Sequence, residues 1–227
     1  MGLFVDLTAA DGFVFPAYVA EPAGKPKGAI VVVQEIFGVN AHIRAVADGY
    51  AAQGYLAVAP ATFHRVLPGV ELGYTEDDMK VGFGYKTAVE ALPASGVLQD
   101  LQAAVDYAAR AGNVGIVGYC WGGLLTWRAA EQLTGLAAAV PYYGGGMTAG
   151  DEPARKPQVP VLAHFGDQDH WIPLDTVEAF KAAQPGVEVH VYAANHGFNC
   201  DHRASYNQPA AALALQRTLA FFARHVG

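Results

Sequence analysis

Short, largely uninterrupted apolar runs constrain this chain more than any other feature. They are Ala29 to Val33, Tyr55 to Ala59, Val114 to Val117 and Val161 to Phe165. Most are continuous rather than alternating, which is how strands read when both faces of a sheet are covered. Leu136 to Val140 and Glu188 to Tyr192 complete a parallel set, and Phe13 to Val19 adds an early antiparallel strand. Between the runs, apolar residues recur at helical spacing: Ile43, Val46, Ala47 and Tyr50, then Leu98, Leu101, Val105 and Ala108, and finally Leu215, Leu219 and Phe222. Strands alternating with helices predict an α/β architecture with right-handed crossovers.

Pro and Gly mark the joints. Pro22, Gly24, Pro26 and Gly28 form a turn before the first core strand. Residues Pro60 to Asp78 lack a clear period, and Gly144 to Gly146 with Gly150 to Pro160 form a second irregular stretch. Loops this long in a compact domain are often functional. No repeat or linker divides the chain, so one domain over residues 1–227 is expected. With 14 basic and 21 acidic side chains the net charge is −7, which argues against a nucleic-acid partner. Two cysteines, Cys120 and Cys200, are no disulfide framework. The start of the chain has no basic n-region, and no apolar run is long enough to span a bilayer. A cytoplasmic monomer without membrane association is therefore expected.

The strongest local signal is Gly118-Tyr119-Cys120-Trp121-Gly122-Gly123, directly after an apolar strand and directly before a helical run from Leu124 to Leu133. This is the G-x-nucleophile-x-G elbow with Cys in place of Ser. A nucleophile on a tight strand-to-helix turn needs small neighbours, which Gly118 and Gly122 supply. The amides opening the next helix can favour a thiolate and an oxyanion. The competing reading is an inert buried cysteine in a Gly-rich turn. Two glycines at the right offsets, in the right context, favour the nucleophile.

Such a nucleophile needs a base and an orienting acid, in the order nucleophile, acid, histidine. Gly166-Asp167-Gln168-Asp169 follows one predicted strand, and Asn195-His196-Gly197-Phe198 follows another. Both lie at strand C-terminal ends, where open α/β sheets put their ligands. Of eight histidines, His196 is the best placed, in a loop; His164 falls inside a strand and reads as core. Asp167 and Asp169 compete for the acid. Glu35 ends the first core strand and points toward the same crevice. His196, Cys200, Asp201 and His202 are close in sequence but follow no recognised zinc spacing, so neither metal nor cofactor is expected.

Across nearly its whole length the chain resembles the dienelactone hydrolase family. The resemblance rests on Gln34-Glu35-Ile36-Phe37-Gly38, the elbow, Tyr142-Tyr143-Gly144, Gly166 through Pro173, and His196-Gly197-Phe198. It implies an α/β-hydrolase fold, a mostly parallel central sheet with helices on both faces. It also implies a triad of Cys120, Asp169 and His196, with Glu35 near the resting thiol until substrate displaces it. Oxyanion donors would be the amides of Ile36 and Trp121, and Phe37, Tyr143, Trp171, Phe198 and Arg203 would contact substrate. Family members grip a substrate carboxylate with two arginines. Here Thr75 to Lys86 offers only Lys80 and Lys86, and Cys200 stands at the second arginine's place, with Arg203 three residues later.

The expected activity is thus opening of a small lactone or ester through an acyl-cysteine, without cofactor. Its rivals are a promiscuous carboxylesterase or thioesterase, and a non-catalytic binding protein of the same fold. Cys200 lies four residues beyond His196, so both thiols are expected near one site. A disulfide between them would need their Cα atoms within about 7 Å.

Overall fold

The computed structural model describes residues 2–93 and 96–227. Its eight strands are β1 (Leu3–Thr8), β2 (Val14–Ala20), β3 (Ala29–Val33), β4 (Leu56–Pro60), β5 (Val114–Tyr119), β6 (Leu136–Tyr142), β7 (Leu162–Gly166) and β8 (Glu188–Tyr192). They form one sheet in the order β1-β2-β4-β3-β5-β6-β7-β8. The hairpin β1-β2 and the pair β2-β4 are antiparallel; the pairs from β4 to β8 are parallel. Every residue of β3, β4 and β5 is buried. This is why those runs carry no polar alternation.

The helices are α1 (Ala41–Ala52), α2 (Glu76–Glu90), α3 (Gly96–Ala108), α4 (Trp121–Gln132), α5 (Leu174–Ala183) and α6 (Gln208–His225). They cover both faces of the sheet. Tyr50 of α1 meets Phe222 of α6 edge-on, with ring centroids 6.2 Å apart. Three elements escape the apolar pattern. In β1 only Leu7 is buried, so this edge strand has little hydrophobic signal. Helix α5 buries only Val177 and Phe180. Helix α2 lies partly within the stretch read as irregular, and buries only Gly82 and Val89. Its start is written instead as a capping box, Thr75 with Asp78.

Close backbone packing sets the elbow. A Cβ on Gly118 would lie 2.1 Å from the Gly122 carbonyl oxygen and 2.4 Å from Thr126 Oγ1. One on Gly122 would lie 2.3 Å from the Gln34 oxygen at the end of β3. Helix α4 can therefore press its first turn onto β3 and β5 only through glycine. Gly118→Ala is expected to cost about 3 kcal/mol through overpacking. Gly84→Ala, on the exposed side of α2 with nothing within 4 Å, is expected to stabilise by about 0.5–1 kcal/mol. Denaturant midpoints at constant slope measure both.

Candidate active site

Cys120 caps α4 with φ 56° and ψ −119°, a conformation that L-residues rarely adopt. Its amide donates to the Tyr142 carbonyl at 3.1 Å, and its carbonyl accepts from the Gly123 and Gly145 amides at 2.9 and 3.2 Å. These bonds over-determine the strained backbone and aim the thiol away from the sheet. The thiol shares the cavity wall with His196 and favours its cation. The other face of that imidazole, Nδ1, lies 2.7 Å from Asp169 Oδ2.

Asp169 Oδ1 accepts from the amides of Trp171 and Ile172 at 2.8 and 3.2 Å. Its neighbour Asp167 is exposed. Burial and geometry thus separate two aspartates that sequence leaves as equals. Burial works against the His196 imidazolium, but the opposing charge of Cys120 and the hydrogen bond the ring donates to Asp169 outweigh it, holding the group up at about 10.

A cavity of about 270 Å³ opens above the thiol. Ile36 and Phe37 wall it on the β3 side, Cys120, Trp121 and His196 form its floor, and Arg203 and Trp171 stand at its edges. Among the described residues neither the Ile36 nor the Trp121 amide donates to a protein acceptor. Both stay available to a bound oxygen.

Tyr143 and Phe198, expected to contact substrate, do not reach the cavity wall. Both are fully buried, with ring centroids 5.2 Å apart, and Tyr143 abuts His196 edge-on at 5.1 Å. Tyr143 packs on the imidazole and Phe198 on Tyr143, so neither lines the cavity. Glu35 also differs from expectation. Its carboxylate accepts from Tyr74 at 3.1 Å and pairs with Arg203 at 3.3 Å, while the thiol lies with His196 in the cavity wall. A fully buried carboxylate is better stabilised by a guanidinium and a phenol than by a thiol. Burial and the Glu35 charge push the Tyr74 phenol well up, so it stays a donor.

Helix α2 contributes Met79, Phe83 and Lys86 to the cavity, and the turn after β6 contributes Gly145 and Gly146. Apart from Lys86, one of the two lysines that this segment offered, none of these is an expected site residue. The capping box at Thr75 is the signal that would have located α2. The helix can lie this close because of Gly82, where a Cβ would meet the Ile36 carbonyl oxygen at 2.3 Å. Lys80, the expected alternative to Arg203 as a carboxylate grip, is largely exposed against Asp77 and lies outside the cavity. It is one helical turn and a half from Lys86, which points inward and pairs with Glu90 at 2.7 Å. Glu90 in turn accepts from Trp121 Nε1 at 3.1 Å. Both cysteines are free, and Cys200 is buried behind the cavity rather than in it. No described helix is long and apolar enough to cross a membrane.

A strained cysteine after a central parallel strand, a histidine after the last strand and a buried carboxylate between them define an α/β-hydrolase. Residues 15–226 match the model of the dienelactone hydrolase family, and the chain belongs to that family. A carboxymethylenebutenolidase of Pseudomonas putida is 37% identical over 96% of this chain and 95% of its own length. A crystal structure of a Klebsiella pneumoniae protein aligns at TM-score 0.83 and 35% identity, over 98% of this chain and 100% of that one. A dienelactone hydrolase-like promiscuous phosphotriesterase from metagenomic libraries shares the fold at TM-score 0.80 and 22% identity, over 100% of this chain and 99% of that one. The chain is a carboxylic ester hydrolase acting on lactones or esters.

Because Cys120 provides the largest upward influence on His196, Cys120→Ala is expected to lower the imidazole pKa, with burial then opposed by Asp169 alone. A histidine ring titration followed by NMR measures this. An unmoved titration would mean that the sulfur and the ring are not in contact.

Proposed function

We propose that this enzyme opens a small, carboxylate-bearing lactone through an acyl-cysteine on Cys120. The observation that carries the reading is the continuous path from the Cys120 thiol through His196 to Asp169, at the floor of a cavity edged by Arg203 and Lys86. The Cys120 proton passes to His196, the sulfur attacks the lactone carbonyl, and the new C–S bond forms as the carbonyl π electrons move to oxygen. The amides of Ile36 and Trp121 receive that oxyanion. Collapse breaks the ring C–O bond, and His196 delivers the proton to the departing oxygen. Water, deprotonated by His196, then cleaves the thioester. Asp169 keeps the ring oriented and favours its cationic form.

The carboxylate preference follows from charge. The named activity of the Pseudomonas putida relative is on a lactone with a carboxymethylene arm, and two cations edge this otherwise apolar cavity. Glu35 already occupies Arg203. An anionic substrate competes with Glu35 for that guanidinium. A second reading, an aryl or alkyl esterase, draws on the apolar mouth. Trp171 is 63% exposed and packs against Phe83 with centroids 5.8 Å apart.

Cys120→Ala is expected to lower kcat by at least about 10³-fold in a folded protein, and His196→Ala to add little to that loss. Folded Cys120→Ala retaining near-full ester hydrolysis would reject the nucleophile. Lys86→Met is expected to raise KM for an anionic lactone about 10-fold or more, from loss of one charge-assisted contact, while barely affecting a neutral aryl ester. Equal effects on both substrates would favour the esterase reading.

A further inference from the structure

Behind the cavity, three segments far apart in the chain meet. Glu35 opens the loop leaving β3, His42 sits in the first turn of α1, and Cys200 follows His196 in the loop after β8. One ligand atom from each lies within 4.8 Å of the other two, and all three residues are buried. The two His42 nitrogens have different neighbours. Nδ1 lies 3.0 Å from the exposed carboxylate of Asp201, on the solvent side. Nε2 is buried and has no hydrogen-bond partner among the described residues, although His42 as a whole is only 4% exposed. A ring nitrogen left unpaired in the interior is uncommon and calls for an occupant.

The donor set has a chemical character. A carboxylate accepting from Nδ1–H leaves the Nε2 lone pair free and raises its basicity, the arrangement that orients metal-binding histidines. Thiolate, imidazole and carboxylate together suit a borderline-soft divalent ion. Bond lengths of roughly 2.0–2.3 Å put tetrahedral ligand atoms roughly 3.3–3.8 Å apart, so closure needs shifts of about 1 Å. We propose that Glu35, His42 and Cys200 form a binding site for a zinc-class divalent cation, with Asp201 orienting His42 from outside. Loading breaks the Cys200 S–H bond and forms a metal–sulfur bond, and the proton leaves to solvent. Water completes the coordination beside Tyr74, whose hydroxyl already donates to Glu35.

A second cavity of about 510 Å³ lies between α1 and α6, separate from the one above Cys120; of the three proposed ligands only His42 is in its wall, together with Asp201. Arg203 is the competing partner for Glu35, so ion pair and metal are alternatives, and loading releases the guanidinium into the active cavity. The inference does not depend on Cys120 being the nucleophile.

The test uses the reduced, metal-free full chain. Co²⁺ titration is expected to give one equivalent bound with a thiolate-to-cobalt charge-transfer band, and Zn²⁺ is expected to displace it and raise the Tm. Cys200→Ser and His42→Gln are expected to weaken Zn²⁺ binding by more than about 100-fold, and Asp201→Asn by about 10-fold. Cys120→Ser is expected to keep the band. Absence of Co²⁺ and Zn²⁺ binding in the unmodified protein overturns the site without reference to any variant's folding. A band that survives in folded Cys200→Ser, or one lost in folded Cys120→Ser, also overturns it by assigning the metal to other ligands.

Discussion

The rest of the structure depends on one backbone constraint, the left-handed turn at Cys120. A non-glycine residue at φ 56° costs on the order of 1–3 kcal/mol and persists only when its surroundings allow no alternative. Here the surroundings are the first turn of α4 packed directly on β3 carbonyls, with the Cys120 amide donating to the end of β6 and its carbonyl accepting from the turn after it. Because those contacts are backbone to backbone, they leave little freedom in side-chain choice. The thiol, the Trp121 amide and the floor of the cavity are all positioned by this turn. His196 and Asp169 are then brought to it by the parallel order of β7 and β8.

Around the elbow the protein sorts buried charge into two compartments. On one side, His196 stands between a sulfur and a carboxylate that favour its cation against the penalty of burial. On the other, Glu35 is shared by Arg203 and Tyr74, and it raises the Arg203 guanidinium against burial while pushing the Cys200 thiol, already raised by burial, up to about 12. Arg203 belongs to both compartments, since it closes the cavity and neutralises Glu35. Lys86, by contrast, reaches the cavity from a helix held close by Gly82 and keeps a solvent-side partner in Glu90.

Much of the sheet was legible because burial on both faces removes polar alternation, as in β3, β4 and β5. Elements with one exposed face were harder to read. Strand β1 buries one side chain, and α2 has so short an apolar stripe that only its capping box betrays it. The candidates Cys120, Asp169 and His196, which the fold brings together, were legible through local turn chemistry at strand ends, where backbone needs restrict residue choice. Tyr143 and Phe198 were misplaced because proximity in sequence to a site does not tell which side of a ring a neighbour packs against.

The sequence by itself determined the buried strands and the helices with an apolar stripe, the elbow, and the candidates Cys120, His196 and Asp169 or Asp167, since each is encoded over a few adjacent residues. Tertiary structure alone decided between the two aspartates, by burying one beneath His196. It also decided that Glu35 faces Arg203, that Lys86 rather than Lys80 reaches the cavity, and that His42 meets Cys200. The reason is physical. These outcomes depend on contacts between residues up to 168 positions apart, and on the free energy of burying charge, which no local pattern of side chains records.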